Sequence, residues 1–215
     1  KCSKQEARER AIELMKMVGI PAPESRLKQY PFEFSGGMRQ RIIIAIALAC
    51  NPKLIVADEP TTALDVTVQA QILDLLRKIT EESDAGVIII THDLGVVASL
   101  CDRISIMYGG NIMEEGTTDE IFYDPKHPYT KGLLNSIANS NADHREPLKP
   151  IPGTPPDLLK LGDQCPFASR CSEAMEICTK ATPLVTEFGE THKCKCWLHC
   201  KERWQEVMKG EDAHE

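Results

Sequence analysis

The chain has 215 residues, 42% hydrophobic and 27% charged, with a formal net charge of −7. That is room for one sizeable core plus an appendage, with an ordinary globular composition. Acids outnumber bases, 32 to 25, and aromatics make up 5%, so neither a broad basic face nor base-stacking platforms are on offer and no nucleic-acid partner is expected.

No apolar run is long enough to span a bilayer, so a membrane role would pass through a partner. The first residue is Lys1 and no signal peptide precedes the first predicted helix, so the sequence reads as an N-terminally truncated piece of a longer protein. A helix is predicted over 4–18, with an apolar stripe of Ala7, Ala11, Leu14, Met15 and Val18, a Ser3 cap and Gly19 as stop. Pro21 to Phe34 reads as a loop, and a long helix follows from Ser35 to about Cys50, ended by Asn51-Pro52. Leu54 to Ala57 suggests a buried parallel strand ending in two acids. Val66 to Ser83 is a second long helix, Val87 to Ile90 a β-branched strand, and a helix then runs to Cys101. Strand, helix and strand alternate, which predicts an α/β fold with parallel strands. Arg103–Tyr108 and Ile112–Glu115 flank Gly109-Gly110-Asn111 as a hairpin expected at the far side of that sheet. Short helices are predicted near Thr118–Tyr123 and Tyr129–Ala138, and the proline-rich stretch 139–164 reads as an extended linker.

Four short blocks carry the chemistry. Phe34-Ser35-Gly36-Gly37-Met38-Arg39-Gln40-Arg41 places a serine and two glycines at a helix start, where free N–H groups and the positive dipole end suit a terminal phosphate. Leu54-Ile55-Val56-Ala57-Asp58-Glu59-Pro60 ends an apolar strand in two acids, an arrangement that costs desolvation unless a cation or a water uses them. Asp58 fits Mg²⁺ held through its water, and Glu59 fits a general base or water-orienting group beside a γ-phosphate. In Ala63-Leu64-Asp65 the aspartate also reads as the N-cap of the helix that follows. In Thr91-His92-Asp93 the histidine could bond the γ-phosphate and the attacking water.

In this order and spacing the blocks resemble the signature motif, Walker B, D-loop and H-loop of an ABC-type ATPase. The resemblance is tightest over about Pro31 to Asp102, with Phe34 for the usual leucine and Met38 for the usual glutamine. It implies a head-to-tail dimer of two ATPase subunits. Ser35, Gly36, Gly37 and Gln40 would reach ATP on the opposite subunit, Asp65 would lie at the interface, and Asp58, Glu59 and His92 would act on ATP and Mg²⁺ of their own subunit. No Gly-x-x-x-x-Gly-Lys-Ser/Thr phosphate loop occurs in these residues. The 215-residue chain alone is therefore expected to bind ATP weakly and not to turn it over.

Lys126-His127-Pro128-Tyr129-Thr130-Lys131-Gly132-Leu133-Leu134, Ile151-Pro152-Gly153-Thr154-Pro155-Pro156 and Cys165-Pro166-Phe167-Ala168-Ser169-Arg170-Cys171 resemble the C-terminal extension of dipeptide and oligopeptide importer ATPase subunits. The resemblance implies a peripheral subunit on the cytoplasmic face of the membrane. Its partners would be a related ATPase, two permeases and, through them, an external solute-binding protein. Nickel importers share the tail, and a soluble ABC ATPase is a further alternative, as is a metal-binding and dimerisation module without motor function. The expected architecture is a partial ABC-type nucleotide-binding domain with a helical signature segment over 1–138, a linker over 139–164, a cysteine-rich extension over 165–200 and a tail over 201–215.

Six of the nine cysteines fall between Cys165 and Cys200, and without a secretory signal such clusters read better as metal ligands than as disulfides. Cys165, Cys171, Cys178 and Cys196 match the four cysteines that the resembling tails associate with an iron–sulfur cluster. Four thiolates can wrap a [4Fe–4S] cluster or hold tetrahedral Zn²⁺, and the absence of paired Cys-x-x-Cys knuckles points toward iron–sulfur. Cys194 and Cys200, with His192 and His199, are additional candidates.

Overall fold

A computed structural model describes residues 2–82, 85–136 and 150–200, apart from the side chain at 160. The chain divides into two compact units, Lys1–Leu100 and Cys101–Glu215. Residues 137–149 of the expected last helix and linker, and the tail 201–215, lie outside the described residues.

The first unit opens with α1, Lys4–Met17, whose N-terminus is a reciprocal capping box between Ser3 and Glu6. Leu14 and Met15 turn inward, and the chain leaves through Gly19 at φ +76, where the Arg41 guanidinium would stand 2.8 Å from an added Cβ. Arg41 also donates to the Val18 carbonyl at 2.6 Å, so the glycine is required both for the left-handed exit and for this close approach. The segment expected as a plain loop contains α2, Pro23–Arg26, and a 3₁₀ turn over Pro31–Glu33, each with proline at its start, where the missing N–H costs nothing.

Helix α3, Gly36–Leu48, follows Ser35, and buries Ile44, Ala45 and Leu48. Strand β1, Leu54–Asp58, pairs in parallel with β2, Gly86–Ile90, in register from Leu54↔Gly86 to Asp58↔Ile90. Parallel neighbours need a crossover, and α4, Val66–Glu82, supplies it, with Ile72, Leu75, Leu76 and Ile79 buried. Helix α5, Leu94–Leu100, closes the unit. The core joins Leu14, Val18, Ile44, Leu48, Ile55 and Ile72; full burial of one such side chain contributes about 1.5–3 kcal/mol. β1 was expected to be buried on both faces, but Leu54 is 54% and Val56 58% exposed. Ile55 and Val87 pack on the helices, while Ile88 and Ile90 of β2 are also half exposed.

In the second unit β3, Arg103–Tyr108, and β4, Asn111–Thr117, form the expected hairpin, turned by Gly109 and Gly110 at φ +55 and +77. It does not extend the β1–β2 sheet. Helices α6, Thr118–Tyr123, and α7, Pro128–Asn135, follow. Strands β5, Val185–Glu187, and β6, Lys193–Lys195, then complete a separate antiparallel sheet in the order β3-β4-β6-β5. Met113, Phe167, Ile177 and Trp197 form the core here, with the Trp197 indole N–H donating to the Ala181 carbonyl at 3.0 Å. Arg170 donates to the carbonyls of Ile151 and Pro152 and to the Tyr108 hydroxyl, so the end of the proline-rich stretch is pinned to this core.

Candidate functional site

The parallel register dictates the centre of the site. Asp58 pairs with Ile90 at the last rung, and the Glu59 N–H adds one more bond to the Ile90 carbonyl at 2.9 Å. The chain segments leaving both strands therefore depart side by side. Glu59 leaves β1 in the left-handed region at φ +47, unusual for a residue with a side chain. Its Oε1 lies 2.9 Å from His92 Nδ1, and its Oε2 accepts from the Thr62 hydroxyl at 2.8 Å. The hydrogen bond to His92 and then that to Thr62 hold the Glu59 carboxyl below its usual range, and the same contact holds His92 above its own. His92 is nonetheless 84% exposed. Asp58 is exposed and makes no side-chain hydrogen bond or ion pair among the described residues, which leaves it available to a hydrated cation.

Asp65 Oδ1 accepts from the Val68 N–H at 2.9 Å, the N-cap expected for α4. Asp93 caps α5 through the N–H groups of Gly95 and Val96 and accepts from the Gln69 side chain at 3.1 Å, which ties the histidine loop to α4.

Ser35 caps α3 by accepting from the Met38 N–H at 3.3 Å. A Cβ on Gly37 would stand 2.5 Å from Val68 Cγ1, and one on Gly36 3.6 Å from Leu64 Cδ2. The second glycine is thus required by packing as well as by any approach of an anion. Met38 packs on the core of the first unit, and Phe34 is buried with the Arg26 guanidinium 6.0 Å from its ring centre, so both departures from the usual signature have a packing reason. No hydrogen bond joins Ser35, Gly36, Gly37 or Gln40 to Asp58, Glu59 or His92 among the described residues. The structure brings Glu59 and His92 together, while the glycine-rich helix start lies against Leu64 and Val68. Thr62 escaped the sequence reading; its spacing of three from Glu59 across Pro60 is the signal of a tight turn that would have found it.

In the second unit Cys165, Cys178, Cys194 and Cys196 are buried, and Cys171 and Cys200 are half-buried. Burial pushes the Cys165 thiol up to about 12, and Cys178, Cys196 and Cys171 stand near enough to add to the effect. Burial likewise raises Cys171 and Cys178. The hydrogen bond between Cys194 and Cys196 holds the Cys194 thiol up. Of the quartet expected as ligands, Cys165, Cys171 and Cys178 are thus held up by burial, whereas the hydrogen bond with Cys194 holds Cys196 below its usual range. Among the described residues, however, no three His, Cys, Asp or Glu side chains are arranged to hold a metal ion. His192 and His199 are engaged elsewhere: His192 Nε2 with Glu114 Oε1 at 2.8 Å, and His199 Nε2 with the Lys126 carbonyl at 3.1 Å.

The helix start, the strand-end acids and the histidine lie in a chain that is similar to ABC transporter ATP-binding proteins. Residues 1–62 match the ABC transporter family, and residues 113–178 match the family described as the oligopeptide/dipeptide transporter, C-terminal region. The chain is 51% identical over 211 residues to the dipeptide transport ATP-binding protein DppD of Bacillus subtilis, a match covering 98% of this chain and 63% of that protein. It is 56% identical over 198 residues to the oligopeptide transport ATP-binding protein OppD of the same organism, covering 92% and 55%. The solved structure of cbiO1 from Clostridium perfringens, part of the ABC transporter complex cbiONQ, superposes with a TM-score of 0.51 at 31% identity, over 58% of this chain and 48% of that one. The chain thus spans between 55% and 63% of the length of these two transport proteins. Among the described residues no helix is long and apolar enough to cross a membrane.

Proposed function

We propose that the complete protein containing this chain is the ATP-hydrolysing subunit of a di- or oligopeptide importer. It would work as a head-to-tail pair of ATPase subunits on the cytoplasmic face of the membrane, bound to two permeases that a solute-binding protein supplies. The observation that carries the ATPase reading is the Glu59 carboxylate, oriented between His92 and Thr62 where two parallel strands end. Asp58 would hold Mg²⁺ through its water, and the ion would neutralise charge on the phosphates. Glu59 accepts the proton of the attacking water, His92 bonds the γ-phosphate, and the Ser35 helix start with Gly36, Gly37 and Gln40 meets the nucleotide of the opposite subunit, with Asp65 at the interface. The names of the relatives favour peptide import over nickel import and over a soluble ATPase. Glu59→Gln in the complete subunit is expected to abolish steady ATP hydrolysis while ATP binding persists. Hydrolysis at the parent rate in that variant would remove Glu59 from this role.

The cysteine-rich extension supports a second, separate reading: Cys165, Cys171, Cys178 and Cys196 as thiolate ligands of a [4Fe–4S] cluster or of Zn²⁺. Its support is the proximity of the four thiols, three of them buried and Cys171 half-buried. Since no three side chains there are set around one ion, occupancy requires the thiols to lose their protons and close inward. Iron, sulfide and zinc content of protein purified without oxygen, compared with Cys171→Ser, tests it; equal metal content in the two would reject the ligand assignment.

A further inference from the structure

We propose that Thr62 is a positioning residue for Glu59, fixing the plane of its carboxylate so that one oxygen faces the attacking water. The inference rests on the ATPase reading above and adds to it a residue outside the four motif blocks. A glutamate carboxylate rotates easily about its last torsion, which has broad wells. One donor fixes one oxygen; two donors on different oxygens fix the plane. His92 provides one bond, at 2.9 Å, but at 84% exposure it is weakly held by its surroundings. Thr62 is the donor anchored by backbone. Its N–H closes a turn onto the Glu59 carbonyl at 3.2 Å, and its hydroxyl reaches Glu59 Oε2 at 2.8 Å.

The turn itself is tightly specified. Pro60 and Thr61 are buried, the Leu64 N–H bonds the Thr61 carbonyl at 3.3 Å, and the left-handed residues Glu59 and Ala63 bracket the segment at φ +47 and +63. Backbone strain of this kind persists only where the surroundings over-determine it. Here it delivers a hydroxyl to one carboxylate oxygen and leaves the second lone pair of each oxygen available.

The test compares Thr62→Val and Thr62→Ser with Glu59→Gln in the complete ATPase subunit. Valine keeps the branched shape and removes the hydroxyl. We expect kcat to fall by about tenfold, a modest part of what misplacing a catalytic group costs, with KM for ATP unchanged. Thr62→Ser should restore kcat. Thr62→Ala, which removes the same hydroxyl with less bulk, should reproduce the valine result and separates loss of the donor from a folding defect. A parent-level kcat in both hydroxyl-free variants, with Glu59→Gln inactive, would overturn the role of Thr62 and leave the ATPase reading intact. An active Glu59→Gln would overturn that reading and the role of Thr62 with it.

Discussion

Each of the two units holds a Glu–His pair, of nearly equal length and opposite circumstance. Glu59 and His92 meet at 2.9 Å with side chains 38% and 84% exposed; Glu114 and His192 meet at 2.8 Å with side chains 0% and 3% exposed. The first pair stands at strand ends, open to solvent. The second is sealed: Glu114 also accepts from the N–H groups of Lys126 and His127, at 2.6 and 3.0 Å, so one carboxylate joins β4, the start of α7 and the residue before β6. Contact length alone therefore says little about role; the number of donors and the water they exclude decide whether such a pair does chemistry or holds a fold.

The comparison breaks most visibly at Glu114. Glu114→Ala strands three donors in a dry interior and should cost about 3–5 kcal/mol, read as a lowered denaturant midpoint for the second unit. A loss below about 1 kcal/mol would mean that the pair is effectively solvated. A smaller effect is expected at Gly37, which tests whether the exposed site rests on an equally rigid frame. Gly37→Ala drives a methyl against Val68, 2.5 Å away, and should cost about 1–3 kcal/mol, recovered in the double variant with Val68→Ala. Failure of that rescue would place the cost elsewhere.

The smallest effect on stability is expected at His92 itself. Its raised pKa contributes stability that is complete below the unfolded value of 6.5 and is lost as pH rises through the folded value. The lowered pKa of Glu59 contributes stability above the unfolded value of 4.5, lost as pH falls through its folded value. The pair therefore acts chiefly between these two unfolded values. His92→Ala should lower the urea midpoint slightly in that window and converge with the parent at alkaline pH. A gap that persists undiminished at alkaline pH would refute the assignment. An NMR titration of His92 reads the same shift directly.

Local signals were legible where they were strong. The Ser3 cap and the apolar stripe announced α1, the serine–glycine start announced α3, and the apolar run ending in Asp58 and Glu59 announced β1. Non-local pairing was not legible. β6 is a three-residue strand, Lys193–Lys195, inside a segment whose cysteines drew attention as ligands, and its partner Glu114 lies 80 residues before Cys194. Nothing periodic in Lys-Cys-Lys marks a strand; the hairpin edge makes it one. The exposed face of β1 was missed for a related reason, because an apolar run states what a strand can bury and not what covers it. Thr62 was missed because its role exists only once Glu59 takes a left-handed turn.

The reach of Glu114 toward His192 also has a consequence for synthesis on the ribosome. Among the described residues the backbone partners of β1 and β2 are each other, so that pairing can form as soon as Ile90 has emerged. β4 emerges with Glu114 lacking its histidine and with the edge that receives β6 unpaired, and it stays so while about 80 further residues are translated, about 4–16 s at ordinary elongation rates. For that interval a bare strand edge and an acid without its histidine stand open to solvent. The second unit, rather than the β1–β2 pair, is therefore where the nascent chain waits longest for its partner.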